Sequence, residues 1–578
     1  MTDRQTDRQT GELTGYASID KPWLKYYSKE AINAPLPECS IYEYLVQNNQ
    51  DYPSDIAILY LGKKITYKEL FENIDKTAAA FIKAGVKEKE IVTVALPSIP
   101  EAIYCVYALN KIGAVANMIH PLAGKEETLN YFNEVHSRIA VIFDGAYATV
   151  ADDIDKTSVE QVIVASPSDS LPLALKIAYN LKVKKPQLGR KFVNWKTFIQ
   201  SGRGTEIDLV KKDCHDMAII SHTGGTTGEP KGCMLSDYNT NAVISMIGND
   251  LEYDRQEINM AVLPPFVNYS LVDGMLAPLA FGFQLVLVPK YEPDKFDEYV
   301  KKYSFNHLMA SIPAYYEPLL NNKKLAEMDL SCLGHLYYGG EKMNAETEKA
   351  VNEFLMNRGA RFPLAKGLGS TEMTSAVTVT YEEINLPDSS GIPLVNNLCK
   401  IVDPETNEEK PYNEIGEICM SGPSLMIGYY QKDEETDRII KVHADGRRWL
   451  HTGDLGRINE DGAVFVTGRI KRIVMTRGDD GNPTKMFPDR IEDVIYTHQA
   501  VELCCVIGIE DKERINYPKA FIVLKPDSDR ARAKEDIMET CRRELPTYMI
   551  PEEIVFVNDL PRTSRGKVDY RALENQRV

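Results

Sequence analysis

The chain has 578 residues, 43% of them hydrophobic, 26% charged and 9% aromatic. It is too long for a single hydrophobic core and too apolar for a disordered or fibrous protein, so at least two globular domains are expected. A formal net charge of −17 excludes broad binding to nucleic acid, which needs a basic surface, but leaves room for an anionic substrate in a local positive pocket. Ten cysteines without a C-x-x-C pair argue against a disulfide framework and for a reducing, cytoplasmic setting.

In chain order, residues 1–15 (MTDRQTDRQTGELTG) repeat Thr-Asp-Arg-Gln and lack an apolar centre, so a disordered lead-in is expected rather than a signal peptide. From about residue 40 to 290, helical periodicity alternates with short apolar runs. Residues 66–85 carry apolar side chains at helical spacing up to Gly85, 90–97 (EIVTVALP) read as a strand, 100–114 as a helix and 140–145 as a strand. Residues 283–289 and 306–313 continue the strand pattern. This alternation predicts an α/β fold with layered subdomains. The run Met275–Val288 is too short to span a bilayer and contains Pro278 and Gln284. Residues 175–192 gather Lys176, Lys182, Lys184, Lys185, Arg190 and Lys191 in an otherwise acidic chain. They read either as a solvated surface helix and loop or as a contact for a membrane surface or an anionic partner. After Asp454 the texture changes. Residues 462–478 read as a hairpin leading into a linker, and the strand-like runs LCCVIGIED and KAFIVLKPD with the helical ARAKEDIMETCRREL predict a small α+β domain. The boundary is placed near Lys471, giving a large domain over 16–470 and a small one over 471–578.

The segment SHTGGTTGEPKGCML (221–235) carries the strongest chemical signal. A strand (217–220) opens into glycines that let several backbone N–H groups converge on one anion. Thr223, Thr226 and Thr227 add hydroxyls, and Lys231 adds a compact cation suited to phosphate. Pro230 holds Glu229 extended. The order Pro-Lys-Gly is not a Walker A motif, which needs Gly-Lys-Ser/Thr. A glycine-rich turn alone would mean little; the full T-G-G-T-T-G-x-P-K-G string favours a phosphate loop.

This string resembles the phosphate loop of the AMP-forming acyl-CoA synthetase superfamily, which includes peptide-synthetase adenylation domains and beetle luciferases. Further segments resemble that superfamily's motifs in the same order, from about residue 40 to 572. The resemblance implies that the loop (Thr223, Gly224, Gly225, Thr226, Thr227, Gly228 and Lys231) holds ATP phosphates. YYGGEKM (337–343) resembles the turn whose backbone, here Gly339, Gly340 and Glu341, lies beside adenine. KGLGSTEM (366–373) resembles the segment in which Thr371 bonds the α-phosphate and Glu372 holds Mg²⁺ through water. WLHTGDLGRINEDG (449–462) resembles the motif in which Asp454 accepts from the ribose hydroxyls. In TGRIKRIV (467–474), Arg469 matches a ribose-contacting arginine and Lys471 the hinge, and in LPRTSRGKVDY (560–570) Lys567 matches the lysine needed for adenylation.

The implied reaction joins a carboxylic acid to AMP with release of pyrophosphate. The small domain then swings about Lys471, exchanging the Lys567 face for the segment around 476–478, and coenzyme A displaces AMP. The chain departs from the pattern at four places. Leu368 stands where an aromatic ring stacks on adenine, Val267 and Asn268 where a histidine is expected, Arg472 where an acid follows the hinge, and Arg490 where a glutamate follows an unusually long 477–493 segment. Val267 also replaces the aspartate that pairs an amino acid's ammonium, so a plain acyl acid is expected, a medium- or long-chain fatty acid first. A free-standing enzyme loading an acyl-carrier protein, and a catalytically weak nucleotide-binding sensor, are the competing readings.

Overall fold

The computed structural model describes residues 13–183, 186–223, 230–249, 251–526, 528–562 and 568–575. The disordered lead-in expected over 1–15 thus falls mostly outside the described residues, as do Lys184 and Lys185 of the basic stretch.

The large domain is built on an eight-stranded sheet. Its strands run in the order Gly428–Tyr429, Gly232–Ser236, Met217–His222, Val115–Met118, Ile91–Ala95, Ile139–Phe143, Gln161–Ala165 and Phe192–Asn194. From Met217–His222 outward to Phe192–Asn194 every pairing is parallel. Ile91–Ala95 is buried throughout, as expected for a parallel strand covered on both faces. The covering helices follow from local chemistry. Tyr67–Lys83 starts at a Thr66–Glu69 capping box and buries Leu70, Ile74, Ala78 and Phe81, one turn apart. Pro100–Lys111 begins with proline, whose missing N–H costs nothing there.

A second sheet sets Ile258–Ala261, Gln284–Leu287 and Ile56–Tyr60 in parallel, with Lys63–Thr66 antiparallel at the edge. A third, antiparallel sheet joins Leu398–Val402, Gly416–Ser421, Arg448–Ile458 and Ile440–Val442, with Val464–Arg469 also paired to Arg448–Ile458. The small domain has its own core around Met486, Ile491, Val506, Ile522 and Ile537. There Val501–Asp511, Ile515–Leu524 and Glu553–Phe556 form a sheet packed by Pro488–Tyr496 and Arg530–Glu544. Cys504 and Cys505 sit back to back on one strand and enter two different apolar clusters. All ten cysteines are unbridged.

Two expectations change. Residues 306–313 do not form a strand: only isolated bridges, Asn259 to His307 and Leu308 to Leu336, occur there. The Asn306 side chain takes the Ile258 N–H (2.8 Å), and Pro313 opens a 3₁₀ turn. Residues 462–478 are not one hairpin. Val464–Arg469 pairs backward with Arg448–Ile458, Ile470–Arg472 forms a 3₁₀ turn, and Val474–Arg477 pairs forward with Pro483–Met486. The long 477–493 segment is therefore a hairpin followed by the helix Pro488–Tyr496. No helix among the described residues is long and apolar enough to cross a membrane.

Candidate functional site

The strands Met217–His222 and Gly232–Ser236 form an antiparallel pair closed by His222 and Gly232. Beyond it, Thr223 N–H donates to the Lys231 carbonyl (2.9 Å) and Lys231 N–H donates to Thr223 Oγ1 (3.2 Å). Thr223 and Lys231, the described residues on either side of the glycine-rich segment, are thus bonded to each other twice. Gly224, Gly225, Thr226, Thr227 and Gly228 lie outside the described residues. The Lys231 ammonium stands 5.0 Å above the Tyr429 ring and pairs with Glu435, whose carboxyl its hydrogen bond holds below the usual range.

Tyr429 continues the line. Its hydroxyl donates to Glu372 Oε1 (2.7 Å), and burial, reinforced by that carboxylate, keeps the phenol protonated. Thr371 and Glu372 sit in a short 3₁₀ turn capped by Ser370. The turn is followed by Thr374 at φ 66°, a conformation that a β-branched residue rarely adopts. Bonds from Thr374 Oγ1 to the Ser424 carbonyl (2.7 Å) and from the Asn268 amide to the Thr374 carbonyl hold it there. Asn268, standing near the expected histidine, is thus a backbone clamp. Leu368 is partly buried against the core. Gly339 donates to the Ser311 carbonyl (3.1 Å) with the Tyr269 ring beside it. Gly340 has φ 81°, which favours glycine, and Glu341 is exposed.

Asp454 is directly paired with Arg469 across the third sheet, with Arg469 Nε 2.8 Å from Asp454 Oδ1. The turn before Asp454 is fixed by a residue that the sequence did not single out. Glu417 accepts from Gly453 N–H (3.0 Å) and from His451 Nδ1 (2.7 Å), and His451 Nε2 meets His443 Nε2 at 3.0 Å. A carboxylate only accepts, so His451 carries its hydrogen on Nδ1. Burial, with Lys400 and His451 nearby, pushes the His443 pKa down to about 4. Tyr429, Glu435, Glu417 and His451 were all missed in the sequence. Only His451 falls inside one of the quoted segments, 449–462, and each acts on a partner far along the chain.

Lys471 lies in the turn Ile470–Arg472. Arg472 is not a bare reversal of charge. Its guanidinium pairs with Asp489 and Glu492 (2.6 Å), donates to the Val506 carbonyl (3.0 Å) and faces the Tyr570 ring. Lys567 lies outside the described residues. The residues flanking its segment, Arg562 and Val568, form an antiparallel bridge.

One cavity of about 2840 Å³ between the two domains is lined by Thr223, Lys231, Gly339, Gly340, Glu341, Leu368, Thr371, Glu372, Asp454, Arg469, Lys471, Arg562 and Val568. The structure therefore brings the described members of the expected site to one space, with the base of the Lys567 segment on its wall. A hard carboxylate oxygen at Glu372, next to Thr371, fits a hydrated divalent cation.

The AMP-binding enzyme pattern matches residues 45–430, and that of the AMP-binding enzyme C-terminal domain matches residues 490–567. Among curated proteins, the long-chain-fatty-acid–CoA ligase of Bacillus subtilis (strain 168) is 29% identical over 567 residues, 96% of this chain and 97% of that protein. The probable 4-coumarate–CoA ligase 1 of Dictyostelium discoideum is 26% identical over 94% of this chain and 96% of that protein. Among solved structures, an anthranilate CoA ligase in complex with anthranoyl-AMP superposes with a TM-score of 0.80 at 21% identity, covering 94% of this chain and 98% of that one.

Proposed function

The chain belongs to the AMP-binding enzyme family, and we propose that it activates a carboxylic acid with ATP, giving an acyl-adenylate and pyrophosphate, and passes the acyl group to coenzyme A with release of AMP. The observation that carries this reading is the shared cavity. It sets Lys231, Thr371, Glu372, Asp454 and Arg469 around one space, closed by the domain that carries Lys567. An ionised acid, with a pKa of roughly 4, needs no general base. Its difficulty is approaching a polyanion, so cations must lie on both reactants. Lys231 and the loop amides suit the departing phosphates, Asp454 suits the ribose, and Lys567 would meet the attacking oxygen. Glu372 would hold Mg²⁺, which supplies charge neutralisation on the phosphates. We place the hinge at Lys471, with domains over 16–470 and 471–578.

A medium- or long-chain fatty acid is the first substrate class, supported by the Bacillus subtilis relative and by the apolar lining of Leu263, Phe266, Met309 and Ile312. Contact with an anionic membrane surface is supported by the helix Leu173–Lys182. It buries no residue, and it exposes Leu173 (75%), Ile177 (54%) and Leu181 (83%) at successive turns beside Lys182. The test is acid-dependent exchange of labelled pyrophosphate into ATP, followed by thioester formation with free coenzyme A and with a carrier protein in parallel. Lys567→Ala should abolish exchange while ATP binding persists. Exchange at the wild-type rate in that variant would refute the assignment. Faster thioester formation on the carrier than on coenzyme A would transfer it to a carrier-loading enzyme.

A further inference from the structure

The wall of the cavity next to Thr371 holds polar groups that the ligase chemistry does not use. Asp273 lies in the π-helical stretch Ser270–Leu276, a geometry enriched at functional sites. It is 2% exposed, lines the cavity, and its Oδ1 has no hydrogen-bond partner among the described residues. One neighbour shares the condition: Asn268 spends its amide on the Thr374 carbonyl and leaves Oδ1 unpartnered. The Ser375 hydroxyl and the Ala376 N–H face the Asp273 carboxyl and partly offset its burial. Asn268 and Ser375 line the same cavity and are buried.

Two unpartnered oxygens on one buried wall are costly, the carboxyl oxygen more so than the amide oxygen. The Ser375 and Ala376 donors lower the carboxyl's pKa but do not cancel its burial, and Oδ1 keeps no partner among the described residues. The cluster is also close to the reacting end. Gly369 bridges to Ala376, and Ser370 N–H donates to the Ser375 carbonyl (3.1 Å), so Ser375 is one backbone pairing from the turn carrying Thr371.

Building on the ligase reading, we propose that the acid activated here carries a hydroxyl or amino donor on its acyl portion, and that Asp273 receives it, flanked by Asn268 Oδ1 and Ser375 Oγ. Burial pushes the Asp273 carboxyl up to about 7. A donor arriving with the substrate favours its ionised form and satisfies Oδ1. A site built to bond a substrate hydroxyl rejects an analogue without it far more strongly than an apolar pocket rejects a missing methylene, because its own polar groups are then left unpaired.

The test uses the full-length enzyme and matched acids differing only by hydroxyl, amino or methyl at one position, drawn from benzoic, phenylpropanoic and medium-chain alkanoic series. The readout is kcat/KM for pyrophosphate exchange. At least one donor-bearing acid should exceed its methyl counterpart by on the order of 100-fold. Asp273→Leu should bring that ratio close to one through a rise in KM for the donor-bearing acid. Asp273→Asn, which keeps the shape and one acceptor oxygen, should fall between, and retained ATP binding certifies folding in each. Equal treatment of every matched pair by the wild type overturns this proposal and leaves the ligase reading standing, as does an unchanged ratio in a folded Asp273→Leu or Asp273→Asn. Silence towards every acid overturns both.

Discussion

Tyr429→Phe isolates one bond of the site. The phenol donates to Glu372 Oε1 at 2.7 Å, and its ring lies under the Lys231 ammonium at 5.0 Å. Phenylalanine keeps the ring face, so the contact with Lys231 survives and only the donor to Glu372 is lost. A hydrogen bond to an ionised group contributes about 1.5–3 kcal/mol. If Glu372 must be held in this orientation to serve the nucleotide, kcat/KM for Mg–ATP should fall about 10- to 150-fold. The buried phenol stays protonated well past neutrality, so the loss should be constant between about pH 6 and 9, where an ordinary tyrosine also stays largely neutral. The assay is pyrophosphate exchange at saturating acid with Mg–ATP varied, alongside thermal unfolding to confirm the fold. A kcat/KM within about twofold of wild type would refute the idea that this bond orients the carboxylate for nucleotide.

Asp454→Asn removes the charge facing Arg469 and should raise the dissociation constant for ATP about 10- to 100-fold, the value of a charge-assisted pair; calorimetric titration giving wild-type affinity would remove Asp454 from the nucleotide site. Gly369→Ala would place a Cβ 2.4 Å from the Ser375 carbonyl oxygen. Because backbone must then move beside Thr371, a loss of about 1–3 kcal/mol in stability with a larger loss of exchange activity is expected, measured by denaturant titration and exchange rate. Leu173→Ser, Ile177→Ser and Leu181→Ser together should abolish co-sedimentation with phosphatidylserine-containing vesicles while exchange in solution persists; undiminished sedimentation excludes this helix. For pH, burial lowers the His307 pKa, and at Glu257 the bonds from His307 and Arg361 outweigh burial and hold its pKa down at about 2. The unfolded chain therefore protonates first at both positions. Stability should decline as pH falls below the usual histidine value of about 6.5, and again as it falls below about 4.5 towards 2. Glu257→Gln should make the lower step of the acid-unfolding curve shallower, the other lowered carboxylates such as Asp20 and Asp445 keeping the remainder.

Local signals were legible in the sequence where they act locally. The Thr66–Glu69 capping box, Pro100 at a helix start and the apolar run 91–95 specify their elements without help from afar. The glycine-rich string lies between two described residues, Thr223 and Lys231, that bond each other, and residues 224–229 lie outside the described residues. Partnerships across the chain were not legible. Tyr429 reaches back 57 residues to Glu372, and Glu417 reaches forward 34 to His451. No periodicity encodes those separations. Arg472 looked like a lost acid because its own acids, Asp489 and Glu492, come from the next helix. Residues 306–313 had strand composition, but side-chain bonding by Asn306 and the proline turn limited them to single bridges.

Arg472 also bears on the proposed turning of the small domain. Its clamp on Asp489, Glu492, Val506 and Tyr570 ties the helix Pro488–Tyr496, the strand Val501–Asp511 and Tyr570 to one guanidinium. The links across the junction are of another kind: Arg469 N–H to Asp489 (2.9 Å), Lys342 to Asp493 (3.2 Å) and the Asn344 amide to the Tyr496 carbonyl (2.8 Å). Water can replace each of them at little net loss. If the small domain turns about Lys471 as we propose, the pivot is rigid on one side and lubricated on the other, so torsion would concentrate in the few peptide units of the turn Ile470–Arg472, and a modest bias from bound ligand would suffice to choose between orientations.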